Sequence, residues 1–88
     1  MKAVVTVVGK DRAGIIAKVS GLLFENGINI LDISQTVMSE DMFAMIMLVD
    51  MKDSKTDVVS EKLSALAEEL GMSIHLQNEK LFNSMHRI

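Results

Sequence analysis

The residues of this chain that could do chemistry cluster where an apolar, strand-like run gives way to a helical pattern. Asp11, Arg12 and Gly14 lie together there. A turn from a strand into a helix directs free backbone N–H groups outward at the positive end of the helix dipole, which suits a carboxylate or another small anion. The motif alone favours a simpler interpretation, a tight connection with solvated charges, because short glycine motifs often match by chance.

Other potentially reactive side chains lack the partner residues that a catalytic or metal site needs. Methionines in and beside the third predicted strand could suggest a copper site, but methionine is a flexible core filler and we interpret them as core or interface. His75 has no nearby histidine or cysteine in the sequence, which makes a metal site improbable there. The serines and glutamates show no pattern of a nucleophile with a base, so the sequence does not predict an enzyme. The methionines are Met38, Met42, Met45, Met47 and Met51.

Length and composition favour one small domain with a partner. The chain has 88 residues, 49% of them hydrophobic, and a mean hydropathy of +0.30. A core of this size is marginal alone, so we expect some apolar surface to be buried against another molecule. There is no cysteine, which excludes disulfides and thiolate metal sites.

Charge and aromatic content argue against nucleic-acid binding. The formal net charge is −3, with three Phe and no Trp or Tyr, whereas nucleic-acid binding usually uses basic patches and stacking rings. No run of the sequence approaches the ~20 apolar residues of a membrane span, and no signal peptide is visible. We therefore expect a cytoplasmic protein without a membrane partner, a cofactor or a metal.

The first half of the sequence predicts a strand, a helix and a long second strand. Residues 3–8 form an apolar, β-branched run. A helix follows, with Asp11 as its candidate N-cap or early-turn anion and Gly27 as its stop. Residues 28–38 alternate as a strand whose phase changes, which predicts a bulge near residues 29–31. The predicted buried stripe of the helix is Ile15, Ile16, Val19, Leu22 and Leu23.

The second half repeats the pattern of the first. A short polar link at residues 39–41 precedes a third strand at residues 42–51, which is apolar on both faces. Ser54 is the predicted N-cap of a second helix that ends at Gly71. A fourth strand over residues 72–77 is predicted to be half-buried, and we expect the tail to add a helical turn carrying Leu81, Phe82 and Met85.

The order βαββαβ predicts an α+β, ferredoxin-like sandwich. Right-handed crossovers then give a four-stranded antiparallel sheet in the order 4-1-3-2, with both helices on one face. The second strand becomes an edge, and the chain has no proline to interrupt it. A long bare edge beside an apolar sheet face predicts a homodimer.

Two motifs resemble the ACT domain family. They are Val8-Gly9-Lys10-Asp11-Arg12-Ala13-Gly14-Ile15-Ile16 and Asn29-Ile30-Leu31-Asp32-Ile33-Ser34-Gln35. The resemblance covers residues 3–80, and we assign residues 1–80 to an ACT domain and residues 81–88 to a C-terminal tail. It is nearest to the ACT domains of the glycine cleavage repressor, of formyltetrahydrofolate deformylase and of free-standing single-domain proteins.

The resemblance implies a regulatory, non-catalytic module. ACT domains dimerise and bind small effectors, commonly amino acids, at the interface between subunits. Carried onto this chain, the effector contacts fall in the first turn and on the start of the neighbouring copy's second strand. The implied contacts are Asp11, Arg12, Ala13, Gly14 and Ile15 in the turn, and Asn29, Ile30 and Leu31 in the strand. Many members have proline where this chain has Ala13, which loses a preset backbone angle at the helix start.

The implied contacts are chemically suited to a zwitterion. Helix N–H groups near Gly14, with or without Arg12, could bind a carboxylate, and oxygens of Asp11 and Asn29 could accept from an ammonium. No enzyme or DNA-binding domain is visible in the sequence, so a signal would pass to a separate regulated protein. Two alternatives remain: an interaction module without a ligand, and an acylphosphatase-like hydrolase that uses Arg12 and Asn29 on a phosphate.

Overall fold

Six elements follow one another in the predicted order in a computed structural model that describes residues 1–10, 14–37, 41–80 and 83. The first strand is longer than predicted, because Gly9 and Lys10 continue the ladder by pairing with Phe43 and Met42. The elements are β1 (Lys2–Lys10), α1 (Ile15–Glu25), β2 (Asn29–Val37), β3 (Met42–Asp50), α2 (Thr56–Leu70) and β4 (Ser73–Asn78).

The strands form one antiparallel sheet in the order β2-β3-β1-β4. This is the predicted order 4-1-3-2 counted from the other edge, so the ferredoxin-like βαββαβ fold is confirmed. β1 and β3 lie in the centre with a partner on each side, while β2 and β4 are edges. The apolar runs therefore occupy the central positions, where strands are most buried.

The bulge predicted near residues 29–31 is present in β2. Ile30 pairs with Val49 and Asp32 pairs with Leu48, so Leu31 is the extra residue of the ladder. An extra residue shifts the alternation of side chains by one position. Ile30 and Ile33 are three residues apart and would face opposite sides of a regular strand. The bulge lets both side chains lie on the helix side of the sheet, where their partners Val49 and Met47 are buried.

The core lies between one face of the sheet and both helices. Alternate residues of β1 and β3 supply the sheet side, and one stripe of each helix covers them. Three of the methionines, Met45, Met47 and Met51, are fully buried there, which confirms their interpretation as core residues. The other core residues are Ala3, Val5, Val7, Ile15, Val19, Leu23, Ile28, Phe43, Val49, Val59, Leu63, Ala67 and Ile74.

Three local predictions are corrected by the structure. Ile16 was predicted in the buried stripe but is 40% exposed, because one residue after Ile15 the helix has turned by about 100°. The N-cap of α1 is Gly14 rather than Asp11. The N-cap of α2 is Lys55 rather than Ser54, whose hydroxyl instead donates to the backbone carbonyl of Asn26.

Both helices end at the glycines that were predicted to stop them. Gly27 comes directly after the C-cap of α1 and Gly71 is the C-cap of α2, both with the positive φ that ends helices. Beyond β4, Glu79, Lys80 and Asn83 have helical conformation, while Leu81, Phe82 and Met85 of the predicted helical turn lie outside the described residues. None of the helices in the described ranges has the length and apolar character needed to cross a bilayer.

Candidate functional site

The first half of the candidate site is the start of α1. Gly14 has φ 85° and ψ 1°, a left-handed conformation that favours glycine, and its carbonyl accepts the first helical hydrogen bond from Lys18 N at 2.9 Å. Among the described residues, no atom lies within 4 Å of a Cβ built at Gly14. The described part of the chain therefore leaves this backbone uncovered.

The N–H groups of the first helical turn give this end its electrostatic character. They have no partner within the helix, and among the described residues no side chain caps them and no acidic residue stands in the first turn. Together with the helix dipole they favour an anion. Ile15 contributes only backbone to this end, because its side chain is 3% exposed and belongs to the core.

Three predicted contacts of the turn, Asp11, Arg12 and Ala13, lie outside the described residues. Their assignment to the site stays a prediction. Lys10 before them and Gly14 after them are described, so the position of the turn in the fold is established at both ends.

The second half of the candidate site is the start of β2. Asn29 is exposed and stands opposite Asp50, and in the described part of the chain its side-chain amide has no hydrogen-bond partner. Ile30 is half-buried, while Leu31 at the bulge is 44% exposed. This end of β2 presents a free amide beside an apolar side chain.

The two halves lie at opposite ends of the sheet in one copy. Asn29 is level with Asp50, which pairs with Lys2 at the beginning of β1. Gly14 follows the other end of β1, where Lys10 pairs with Met42. The helix between the two halves, α1, has 11 residues and spans about 16 Å. One small ligand therefore cannot contact both halves of the same copy.

A cavity that sequence reasoning missed opens beside the end of β1, with a volume of about 630 Å³. It forms because α2 ends and β4 begins next to the end of β1, a juxtaposition that no local pattern reveals. Gly9 lies in its wall, where Met72 packs so closely on the backbone that a Cβ at position 9 would lie 2.6 Å from Met72 Cγ. Among the described residues, the cavity is lined by Val8, Gly9, Lys10, Met42, Leu70, Gly71, Met72 and Ser73.

Comparison with known proteins gives consistent similarities over the whole sandwich. The sequence profile of the ACT domain matches residues 2–77. A UPF0237 protein of Clostridium acetobutylicum is 53% identical over 90 residues, which cover 100% of both chains. The structure of an ACT domain protein from Streptococcus pneumoniae has a TM-score of 0.79 at 42% identity, over 93% of each chain. A proposed glycine cleavage system transcriptional repressor has a TM-score of 0.75 at 29% identity, over 86% of this chain and 44% of that one.

Proposed function

This chain belongs to the ACT domain family, and we propose that it is a regulatory module that binds a small effector, an amino acid, as a homodimer. The observation that carries the proposal is the separation of Gly14 and Asn29 at opposite ends of one copy. A second copy supplies the missing half of each site. The similarity to a proposed transcriptional repressor supports a regulatory role.

The surface that a second copy would cover is the edge of β2 and the adjoining side of α1. Leu31, Ile33 and Val37 on β2 are 44%, 39% and 78% exposed. Ile16 and Phe24 on α1 are 40% and 82% exposed, and they lie two helical turns apart on one side of the helix. An unpaired strand edge flanked by exposed apolar side chains is a ready template for pairing with another chain.

Two-fold symmetry brings the two halves of the site together. If the β2 strands of two copies pair antiparallel, the start of one strand lies beside the end of the other. The end of β2 is level with the first turn, because Val37 pairs with Phe43, which in turn pairs with Gly9. Asn29 of one copy is thereby placed near the Gly14 end of its partner, and each dimer has two equivalent sites.

The site suits a zwitterion such as an amino acid. First-turn N–H groups near Gly14 would bind the carboxylate, and the free side-chain oxygen of Asn29 from the partner would accept from the ammonium. Leu31 beside it offers an apolar contact for a side chain. Asp11, Arg12 and Ala13 complete the proposed contacts, and a separate regulated protein would receive the signal.

No specific observation among the described residues supports either alternative function. A hydrolase that uses Arg12 and Asn29 on one phosphate would need both residues at one end of the sheet, whereas Asn29 lies at the end away from the first turn. An interaction module without a ligand would use the same β2 edge as the proposed dimer. Binding of an effector separates the interaction module from the proposed sensor.

A thermal-shift screen with the twenty amino acids, combined with sedimentation equilibrium, tests the proposal. A ligand that binds only the folded protein adds about 2.7 kcal/mol to the free energy of unfolding at a concentration a hundredfold above its Kd, and so raises the Tm. We expect a dimer at micromolar concentration and a rise in Tm with one amino acid or a small group of them. A dimer whose Tm none of them raises would leave an interaction module, and a monomer would contradict the shared site.

A further inference from the structure

We propose that the cavity beside the end of β1 is a second binding site, formed within one copy, for a small aliphatic carboxylate. Its volume of about 630 Å³ lies within the range of pockets that hold small molecules. Among the described residues its lining includes neither Gly14 nor the start of β2, and Lys10 in that lining directly precedes the first turn. All described walls of the cavity come from one copy, so the proposed site does not need the dimer to form.

The walls of the cavity are apolar and adaptable. Val8, Met42 and Met72 line the cavity and are half-buried, so each residue keeps some exposed surface. Leu70, which is 7% exposed, closes the wall at the end of α2. Methionine side chains are unbranched and polarisable, so they adjust to ligands of irregular shape. These walls favour a short, branched aliphatic chain.

Met72 is the movable part of the wall. Its side chain packs on the backbone of Gly9, close enough that a Cβ at Gly9 would lie 3.1 Å from Met72 Sδ and also from Met72 Cε. The contact exists only because position 9 is glycine. Rotation of the Met72 side chain would enlarge or reduce the cavity without moving the backbone.

The positive charge of Lys10 at the rim of the cavity favours a ligand whose polar end is a carboxylate. Lys10 is the charged member of the described lining, and its Nζ lies 4.0 Å from Asp41 Oδ2. Their side chains are 76% and 68% exposed, so this ion pair is screened by water and exchanges partners readily. A carboxylate at the rim would take the Lys10 ammonium, and the Ser73 hydroxyl could donate to its second oxygen.

Methyl NMR of protein labelled at the methionine ε-carbons tests the site directly. On titration with sodium 4-methylpentanoate to about 10 mM, we expect the signals of Met42 and Met72 to shift. The signals of Met45, Met47 and Met51 should stay in place, because these residues are fully buried away from the cavity. Leucine and 4-methyl-2-oxopentanoate carry the same aliphatic chain, and the tighter of the two identifies an amino acid or an oxo acid as the natural class.

Three comparisons make the test specific. Lys10→Gln should weaken binding of the carboxylate about two- to fivefold, while Lys2→Gln at the other end of the same strand should leave it unchanged. The alcohol 4-methylpentan-1-ol should bind about tenfold more weakly than the acid to the unaltered protein. Gly14→Ala and Asn29→Ala should leave the shifts intact, so failure of the effector site would not imitate failure of this one.

The proposal is overturned by any of three results. The first is that the Met42 and Met72 signals do not move with the acid. The second is that the Lys10→Gln protein binds the acid as tightly as the unaltered protein. The third is that Gly14→Ala or Asn29→Ala abolishes the shifts, which would place the acid at the effector site instead.

Discussion

At the scale of single residues, the backbone of Gly14 is the feature on which the first turn depends. Its φ of 85° costs an L-residue about 1 kcal/mol or more, and none of the described residues lies within 4 Å of the position that a Cβ would take. We therefore predict that Gly14→Ala lowers the free energy of unfolding by about 1 kcal/mol in urea denaturation. Gly14→Asn should lose less, because asparagine tolerates left-handed backbone. Equal stability of the alanine variant and the unaltered protein would show that the turn does not hold this conformation.

Asn29 is the residue whose loss should affect binding without affecting the fold. Its amide is exposed and lacks a partner in the described part of one copy, so Asn29→Ala should leave the free energy of unfolding nearly unchanged. Once thermal shift has identified an effector, calorimetry should show that Asn29→Ala binds it about 1–3 kcal/mol more weakly than the unaltered protein does, because a donor of the ligand is left unpaired. His75→Ala, exposed on the opposite edge strand β4, is the control. If the two variants bind equally well, Asn29 is not part of the site.

The sequence led to these two predicted positions but not to the cavity. The turn that holds Gly14 is visible as a boundary between a strand and a helix, whereas Asn29 was predicted as a contact through the resemblance to the ACT family. The cavity joins residues from the ends of β1 and α2 with the starts of β3 and β4. Its existence depends on how far each element extends, and Lys10 ends a strand that is longer than its apolar run indicates.

At the scale of elements, hydrogen bonds of Asn26 link the end of α1 to Ser54, just before α2, and to Lys62 in α2. Its Nδ2 donates to Leu22 O at 2.7 Å, its Oδ1 accepts from Lys62 Nζ at 2.9 Å, and its backbone carbonyl accepts from the Ser54 hydroxyl. Asn26 is also the C-cap of α1. One side chain thus satisfies a helix end and joins both helices.

We predict that Ser54→Ala lowers the free energy of unfolding by about 1 kcal/mol, since a part-buried carbonyl of Asn26 loses its donor. Ser64→Ala, at an exposed position inside α2, is the matched control and should be neutral or slightly stabilising because alanine favours helix. Guanidinium denaturation of both variants measures the difference. A Ser54→Ala protein as stable as the control would mean that this hydrogen bond contributes nothing.

The same serine shows why helix boundaries were predicted less well than helices. Ser54 followed by Asp57 matches a capping pattern, but the hydroxyl of Ser54 reaches a carbonyl 28 residues away in sequence. Such a tertiary partner is invisible in a local pattern. The bulge of β2 was predictable because it leaves a change of phase in the sequence itself.

At the scale of the whole molecule, the order and periodicity of the elements were sufficient to predict the sheet topology. Right-handed crossovers and two β–α–β halves leave few arrangements, and the sheet order is the predicted one. The same reasoning predicted a homodimer from a bare edge and an apolar sheet face, but it did not give the exposure of individual side chains on that edge. The exposures of Ile33 and Val37 on the edge strand are structural facts that indicate where a partner would bind.

If the proposed dimer forms through β2, Ile33→Lys should leave the protein monomeric, because it places a charge in the middle of the β2 edge. Ile46→Lys is a matched control: Ile46 is 41% exposed and Ile33 is 39% exposed, but Ile46 lies on a central strand. Sedimentation equilibrium of both variants should show a monomer for the first and a dimer for the second. Dissociation by Ile46→Lys alone would place the interface on the open face of the sheet.

The most direct test of the shared site is cross-linking across the β2 edge. The chain has no cysteine, so an Asn29→Cys/Val37→Cys variant carries two defined thiols. They lie about 26 Å apart in one strand, too far for a short bismaleimide to join within a copy. The antiparallel pairing predicts a covalent dimer, and it predicts none for Ser73→Cys/Asn78→Cys on the opposite edge, β4. Cross-linking through β4 alone, or through neither edge, would contradict a site built from Gly14 of one copy and Asn29 of the other.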